Sequence, residues 1–443
     1  MLITGHIVNE GRAYDGWVLV RGGRIEAVGE GAYTGPAESE RIDAPGCYVI
    51  PGVIDDQVHF REPGLTAKGD IASESRAAIV GGVTSYMEMP NTKPPSTSMD
   101  EWERKNEIAA RTSYANYAFY FGATNENIKE IARLDPRRVC GVKVFMGSST
   151  GNMLVDNEKA LAAIFAESPV LVATHCESEP LVKAAAERIK TQYGDNPPAS
   201  VHPLVRDAEA CYRSTAEAVE LAVRYGTDLH VLHLSSAREL ALFESKPLAD
   251  KKITNEVCLH HLWFTDADYA TKGNLIKWNP AIKSIADRDA LRMGVFTGRV
   301  DVVATDHAPH LLEEKLQPYR QAPSGGPLVQ HSLVGMLELF DPAKVVEKMC
   351  HAPAVRYNVK ERGFLRPGYH ADIAIVDPAS PWTVGRENIL YKCAWSPFEG
   401  VTFHHRVAQT LLGGRTVYRC APGETGPGQV DPTPRGTALE FKR

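Results

Sequence analysis

The segment PGVIDDQVHFREPG, residues 51–64, contains a short candidate strand, residues 54–59, that ends at Gln57-Val58-His59. Seven further candidate strands of five or six residues follow at residues 84–89, 117–121, 141–145, 170–175, 229–233, 253–257 and 302–306. Amphipathic patterns predict intervening helices, for example at residues 73–80, 158–167, 208–225 and 287–296. Eight β units separated by helices over about 300 residues predict an α/β protein whose centre is a (β/α)8 TIM barrel.

The two ends of the chain have a different pattern from the centre. Residues 1–52 and residues 361–443 contain short alternating strands separated by Gly-rich turns. Neither segment is long enough to bury a good core alone, so we expect both to pair in one small β-sandwich. The predicted division is therefore a composite sandwich, 1–52 with 361–443, and a barrel at 53–360. The Pro/Gly-rich stretch APGETGPGQVDPTPRG, residues 421–436, is expected to be loosely held.

Composition and charge exclude several classes of protein. The 443 residues carry 49 Lys and Arg against 55 Asp and Glu, a net charge of −6 without a long basic run. This balance gives no electrostatic footprint for nucleic acid or for an anionic membrane. No apolar run approaches the roughly 18–20 residues that span a bilayer, and no secretory signal pattern is visible, so we expect a cytoplasmic protein. The eight cysteines form no C-x-x-C pair and are expected to be free thiols.

Residues that can bind metal recur where the predicted barrel strands end. They are Gln57 and His59, Lys143, His175, His233 and Asp306. Active sites of such barrels lie at the C-terminal ends of the strands, and imidazoles with an acidic oxygen suit zinc or a similar ion. A single histidine after an apolar strand is more often a packed core residue. Recurrence at one end of successive strands favours a divalent metal site, while both interpretations stay open on these residues alone.

Seven motifs, in order along nearly the whole chain, resemble the dihydroorotase branch of the cyclic amidohydrolases. They are PGVIDDQVHFREPG (51–64), MPNT (89–92), VKVFMG (142–147), ATHCE (173–177), LHVLHLS (229–235), KWNP (277–280) and ATDHAPH (304–310). The resemblance implies a (β/α)8 barrel with a β-sandwich from both termini, which agrees with the strand count. It also implies reversible hydrolysis of the ring amide of dihydroorotate to N-carbamoyl-aspartate, a step of pyrimidine biosynthesis.

The resemblance also implies a cofactor, two divalent metal ions that are usually zinc. His59 and Asp306 would hold one ion, and His175 and His233 the second. Lys143 falls where related enzymes carry a carboxylated lysine that bridges both ions. Many bacterial dihydroorotases use an aspartate elsewhere instead, so a lysine that merely extends from a barrel strand is the alternative. Asp306 would carry the proton from the attacking water to the departing ring nitrogen.

Substrate-binding positions follow from the same motifs. Arg61, Asn91 and His310 match the positions that hold the substrate carboxylate, and an arginine fork suits a planar anion. Asn279 matches the position that hydrogen-bonds the ring, and the loop at 322–327 is expected to contribute backbone amides. Arg61 favours dihydroorotase over allantoinases, which usually carry Asn or Asp there, and over hydantoinase-type enzymes, whose substrates lack the carboxylate.

The motif at residues 57–59 departs from the family, which has His-x-His where this chain has Gln57-Val58-His59. Gln57 can ligate weakly through its amide oxygen, or one metal can keep only His59, the lysine carbamate and Asp306. The third outcome is an empty first site, with one metal or no activity.

Two classes of function therefore remain. The first is a metal-dependent dihydroorotase that acts on a small-molecule substrate without nucleic acid or membrane, as a homodimer like many members of the family. The second is a catalytically silent subunit that scaffolds a partner such as a transcarbamoylase.

Overall fold

The structure, a computed structural model, describes residues 1–147, 153–424 and 426–443. Within these residues, eight parallel strands that we call barrel strands 1 to 8 surround the core: Val53–Val58, Val83–Glu88, Asn116–Phe119, Val142–Phe145, Val172–His175, Leu229–Val231, Ile253–Cys258 and Val302–Ala304. The ring closes where the His59 N–H donates to His307 O at 2.7 Å. The predicted (β/α)8 barrel is confirmed.

Helices connect the strands, and side-chain caps set several of their starts. The α-helices of the described residues are Ile71–Val80, Met99–Thr112, Ile128–Ile131, Glu158–Glu167, Glu179–Tyr193, His202–Val205, Ala208–Tyr225, Leu259–Trp263, Tyr269–Lys272, Ile285–Thr297, Leu312–Lys315, Ser332–Leu337, Pro342–Val346 and Ala352–Arg356. Two predicted helices begin earlier than their apolar pattern indicates. Asp70 and Ser284 accept hydrogen bonds from the first-turn N–H groups of Ser73 and Asp287, which fixes those starts.

Five barrel strands, as bounded above, end sooner than predicted, and three of them end shortly before a candidate site residue. Strand 1 stops before His59, strand 6 before His233 and strand 8 before Asp306. The last two residues have φ angles of 42° and 47°, in the left-handed region, where an extended strand cannot continue. The polar residues therefore stand on the turns that follow the strands.

The terminal segments share one eight-stranded sheet. Its strands, in chain order, are Leu2–Asn9, Arg12–Arg21, Arg24–Glu30, Arg41–Pro51, Ile373–Asp377, Arg406–Leu412, Arg415–Arg419 and Gln429–Val430. Val49 pairs with Ile375 across the junction of the two halves. Asn9 reinforces that junction, because its side chain donates to Leu365 O and accepts from Leu365 N, both at 3.1 Å. The terminal β unit is confirmed, whereas the domain bounds 1–52 with 361–443, and 53–360, stay a prediction.

The last residues of the chain close the N-terminal end of the barrel. Tyr117 N donates to Thr437 O at 3.0 Å, and Leu439 N donates to Tyr117 O at 2.8 Å. Phe441 is 3% exposed and packs in the cluster that contains Tyr120 and Tyr357 of the barrel interior. This final segment follows the stretch 421–436 that is expected to be loosely held, and it adds hydrogen bonds and apolar burial to the N-terminal end of the barrel.

Two further expectations concern the whole chain. All eight cysteines are free, and seven of them are buried. Among the described residues, no helix is both long enough and apolar enough to cross a membrane.

Candidate metal and substrate site

All ten residues singled out from the sequence line one cavity of about 230 Å³ at the C-terminal ends of the barrel strands. They are Gln57, His59, Arg61, Asn91, Lys143, His175, His233, Asn279, Asp306 and His310. The cavity wall also contains Phe145, Trp278, Ala308, Pro323, Ser324 and Gly325, which sequence reasoning did not assign individually. The barrel brings the ten together because parallel strands deliver their C-terminal ends to one face.

The first group of metal-binding atoms joins strands 1 and 8. His59 Nε2 lies 3.0 Å from Asp306 Oδ1, and His59 Nδ1 lies 2.8 Å from Asn91 Oδ1. Because an amide oxygen only accepts, this orientation of Asn91 places the ring proton on Nδ1. The Nε2 lone pair then faces the Asp306 carboxylate, an arrangement of two electron donors that a cation stabilises. Burial lowers the pKa of His59, which also favours the neutral imidazole.

The second group joins strands 5 and 6. His175 Nδ1 and His233 Nε2 lie 3.0 Å apart, and His175 Nε2 lies 3.0 Å from Glu177 Oε2. Burial alone would raise the pKa of Glu177, but Arg206 and His175 hold it down to about 2. An ionised carboxylate beside the outer ring nitrogen of an imidazole is a usual support of a metal-binding histidine. Sequence reasoning missed this role of Glu177, although Glu177 lies within the quoted ATHCE motif.

Lys143 lies between these two groups on strand 4. Its side chain is 1% exposed, and it makes no hydrogen bond or ion pair with any residue that the structure describes. Burial lowers its pKa to about 8, despite the opposing effect of Asp306 and Glu256. A buried amine with a lowered pKa is more readily neutral than a surface lysine, and only the neutral amine is nucleophilic.

Gln57 contacts Asp306 through its amide nitrogen. Gln57 Nε2 donates to Asp306 Oδ1 at 3.2 Å, while Gln57 Oε1 accepts from Cys258 Sγ at 3.7 Å. The amide oxygen, which is the atom that could bind a metal, is thus turned to Cys258. Of the three outcomes left open by the sequence, this orientation favours a metal held without Gln57.

One end of the cavity is cationic. Arg61 Nε donates to Pro309 O at 3.0 Å and Arg61 Nη2 lies 3.0 Å from His310 Nε2, while Lys68 Nζ lies 3.0 Å from His310 Nδ1. Burial lowers the pKa of Arg61 to about 10, so the guanidinium is still charged near neutral pH. No carboxylate among the described residues forms an ion pair with Arg61, although its side chain is buried. A buried cation without such a partner is a strong attractor for an anionic ligand.

Asn279 is oriented by a residue that the sequence did not single out. His202 Nε2 lies 2.7 Å from Trp278 O and 3.2 Å from Asn279 Oδ1. With the amide oxygen occupied in this way, the amide nitrogen of Asn279 is left to donate toward the cavity. In the loop at 322–327 the Gly325 N–H donates to Lys277 O, so that amide at least is not available to a ligand.

Three of the seven non-glycine residues with positive φ angles among the described residues line this cavity. Arg61, His233 and Asp306 all have positive φ angles, at 71°, 42° and 47°. Such conformations cost about 1–3 kcal/mol each in non-glycine residues and persist where surrounding structure holds them. Three of them in one cavity indicate that side-chain placement is maintained there at the expense of stability.

A profile of the amidohydrolase family matches residues 48–417. The chain belongs to this family. It is similar to the dihydroorotase of Methanothermobacter thermautotrophicus, with 31% identity over 424 residues that cover 94% of this chain and 92% of that protein. An allantoinase of Rubrobacter xylanophilus is also 31% identical, over 445 residues and 96% of each chain.

Solved structures agree with this assignment. The L-hydantoinase (dihydropyrimidinase) from Arthrobacter aurescens matches with a TM-score of 0.92 and 25% sequence identity, covering 99% of each chain. The family resemblance and the barrel with its terminal β unit are therefore confirmed. The chain is therefore a cyclic amidohydrolase.

Proposed function

We propose that this amidohydrolase is a dihydroorotase that reversibly hydrolyses the ring amide of dihydroorotate to N-carbamoyl-aspartate. The observation that carries the proposal is the cationic end of the cavity, where buried Arg61 lies beside His310 without a carboxylate partner among the described residues. Dihydroorotate bears a carboxylate that can pair with this guanidinium through two charge-assisted hydrogen bonds. Hydantoin and allantoin offer no such group.

The residues present suit a metal cofactor of one or two zinc ions. Two imidazole nitrogens that face each other at 3.0 Å, one backed by an ionised carboxylate, form the donor pair of a zinc site. In the proposal His175 and His233 hold one ion, and His59 with Asp306 holds the other. Bound zinc would lower the pKa of a water molecule and polarise the scissile carbonyl.

Carboxylation of Lys143 would complete the bridge between the two groups. With a pKa of about 8, about a tenth of the lysine is neutral at pH 7, far more than for an ordinary lysine. The neutral amine forms a C–N bond with carbon dioxide and releases one proton, which gives a carbamate anion. A buried cation that would repel metals becomes an anion that can bind both.

The remaining groups position the substrate and move one proton. Asn91, Arg61 and His310 would hold the carboxylate, and the Asn279 amide would donate to the ring. Asp306 would accept the proton of the attacking water and deliver it to the departing ring nitrogen. Asp306 is within hydrogen-bond distance of both His59 and Gln57, so its orientation is fixed before substrate binds.

The direct test is an assay of purified, metal-analysed protein for dihydroorotate formation from N-carbamoyl-aspartate, with allantoin and hydantoin as competing substrates. We expect zinc in the protein and turnover of N-carbamoyl-aspartate. Metal-loaded protein that acts only on allantoin or hydantoins would overturn the substrate assignment. Protein without metal, and without turnover after zinc is added, would overturn the enzymatic proposal itself.

Arg61→Met tests the carboxylate contact. We expect kcat/KM for dihydroorotate to fall by about 100-fold, since a charged hydrogen-bonding partner contributes about 1.5–3 kcal/mol, with metal content unchanged. The exposed Arg299→Met is the matched control and should keep the activity of the unmodified protein. An Arg61→Met variant with unchanged kinetics would remove Arg61 from the site.

The predicted homodimer and cytoplasmic location accompany this proposal as further expectations. Gel filtration with light scattering measures the former.

A further inference from the structure

A second group of potential ligands lies inside the barrel, on the N-terminal side of the candidate site. Asp56 of strand 1, His230 of strand 6 and Glu256 of strand 7 are each fully buried, with 0% exposure. His230 Nε2 lies 3.4 Å from Asp56 Oδ2 and 3.2 Å from Glu256 Oε2. None of these three residues belongs to the ligand set proposed above. One nitrogen and two carboxylates therefore converge within the barrel interior.

The hydrogen bonds of His230 determine which atoms face each other. Its Nδ1 lies 2.8 Å from Thr254 Oγ1, and the Thr254 hydroxyl donates to Leu229 O at 3.2 Å. In the tautomer in which Thr254 donates to Leu229 O, the Thr254 oxygen accepts from the Nδ1–H group and Nε2 carries no proton. The lone pair of Nε2 then points at two carboxylates. Three electron-pair donors facing one another are stable only around a positive charge.

Asp56 supplies an independent observation. Neither of its carboxylate oxygens accepts a hydrogen bond from any residue that the structure describes. Leaving an ionised carboxylate buried without a partner costs several kcal/mol, so buried charges are paired or bind metal. Glu256 is partly compensated, since its Oε1 accepts from His233 N at 3.3 Å. The unsatisfied carboxylate of Asp56 is aimed at the centre of the three-residue group.

We infer that Asp56, His230 and Glu256 form a buried site for a divalent transition-metal ion, distinct from the candidate catalytic site. Zinc binds nitrogen and carboxylate ligands at about 2.0–2.2 Å, so neighbouring ligands of a tetrahedral ion lie about 3.3–3.6 Å apart. The two distances from His230 are close to this value without any movement. The ion would link strands 1, 6 and 7. The contact of His230 Nδ1 with Thr254 would orient the imidazole ring, as contacts to the second ring nitrogen do around metal-binding histidines.

A proton is the competing occupant. Burial and the Asp56 carboxylate raise the pKa of Glu256, so a carboxyl–carboxylate pair without metal is the alternative that the experiment has to separate.

The first measurement is metal content of the purified protein with the isosteric variant Asp56→Asn. We expect this variant to lose about one equivalent of metal per chain, because an amide is a weaker ligand than a carboxylate. Glu239→Gln is the matched control, since Glu239 is also buried but accepts hydrogen bonds from Ser235, Ser236 and Thr215. Equal metal content in Asp56→Asn and the unmodified protein would overturn the inference in favour of the proton.

The second measurement places the ion and does not depend on any variant folding. Crystals of the unmodified protein, measured at the absorption edge of the metal that it contains, should give an anomalous peak among Asp56, His230 and Glu256. A map without a peak there would overturn the inference. In addition, His175→Ala should retain the peak, and this outcome distinguishes the buried site from the proposed catalytic one. Failure of the dihydroorotase assay alone would leave the peak unaffected.

Discussion

The two ends of the barrel are built from the same strands but have opposite chemistry. The C-terminal end carries the polar cavity, with three strained residues and a cationic wall. The N-terminal end is closed by an apolar floor that contains Ile54, Tyr120 and Phe441. In such barrels residues at the first end serve catalysis and residues at the second serve stability. The difference teaches that one set of strands can carry strained polar residues at one end and an apolar cluster at the other.

Asp306→Asn should give the largest effect, on activity and not on stability. Asparagine cannot accept and deliver the proton, so we expect kcat to fall by about 10²–10⁴-fold. Stability should be retained, because asparagine tolerates the φ of 47° at this position. Steady-state kinetics and a thermal melt check both parts. Asp266→Asn on the surface is the control; an Asp306→Asn variant that keeps its rate would remove Asp306 from the proton path.

Phe441→Ala, at the apolar N-terminal end of the barrel, should lower stability and not activity, which is the reverse of the effect expected for Asp306→Asn. Removing a buried phenylalanine costs about 3–5 kcal/mol in the free energy of unfolding. We expect the activity per folded molecule to stay unchanged. Denaturant unfolding checks the stability, with Phe296→Ala as control because that side chain is 65% exposed. A loss of activity larger than the loss of folded protein would show that the two ends are not independent.

Lys143→Ala should lower metal content by about one ion per chain, since a bridging ligand is lost between the two groups. Metal analysis measures this, and a small carboxylic acid should partly restore activity by replacing the carbamate. The exposed Lys159→Ala should behave like the unmodified protein. If Lys143→Ala binds as much metal as the unmodified protein, Lys143 is not a metal ligand and has only a structural role in the barrel.

Gln57→His is expected to have the smallest effect. It restores an imidazole at the first position of the metal motif, and we expect metal affinity to rise by about tenfold. Competition with a chelator measures the change, with Gln321→His as a surface control. A weaker affinity would show that the hydrogen bond from Gln57 to Asp306 matters more than a fourth ligand.

The sequence predicted the catalytic end better than the floor. Strand periodicity and the residues that follow each strand were sufficient to bring His59, His175 and Asp306 to one cavity, since parallel strands share a direction. Contacts between distant, irregular segments carry no such periodic signal. The pairing of His202 with Asn279 and of Thr437 with Tyr117 therefore could not be predicted. The orientation of the Gln57 amide could not be predicted either, because it depends on the contacts with Asp306 and Cys258.

The junction of the terminal sheet has a consequence for the time course of folding. Asn9 and Leu365 are 356 residues apart along the chain, yet they exchange two hydrogen bonds. Contacts of such high sequence separation carry a large loop-closure entropy and form slowly. Local strand–helix units of the barrel can form first, whereas the sheet that joins the two ends has to wait until they are brought together. The rate of refolding should therefore be limited by the step in which the N-terminal and C-terminal strands of the sheet meet.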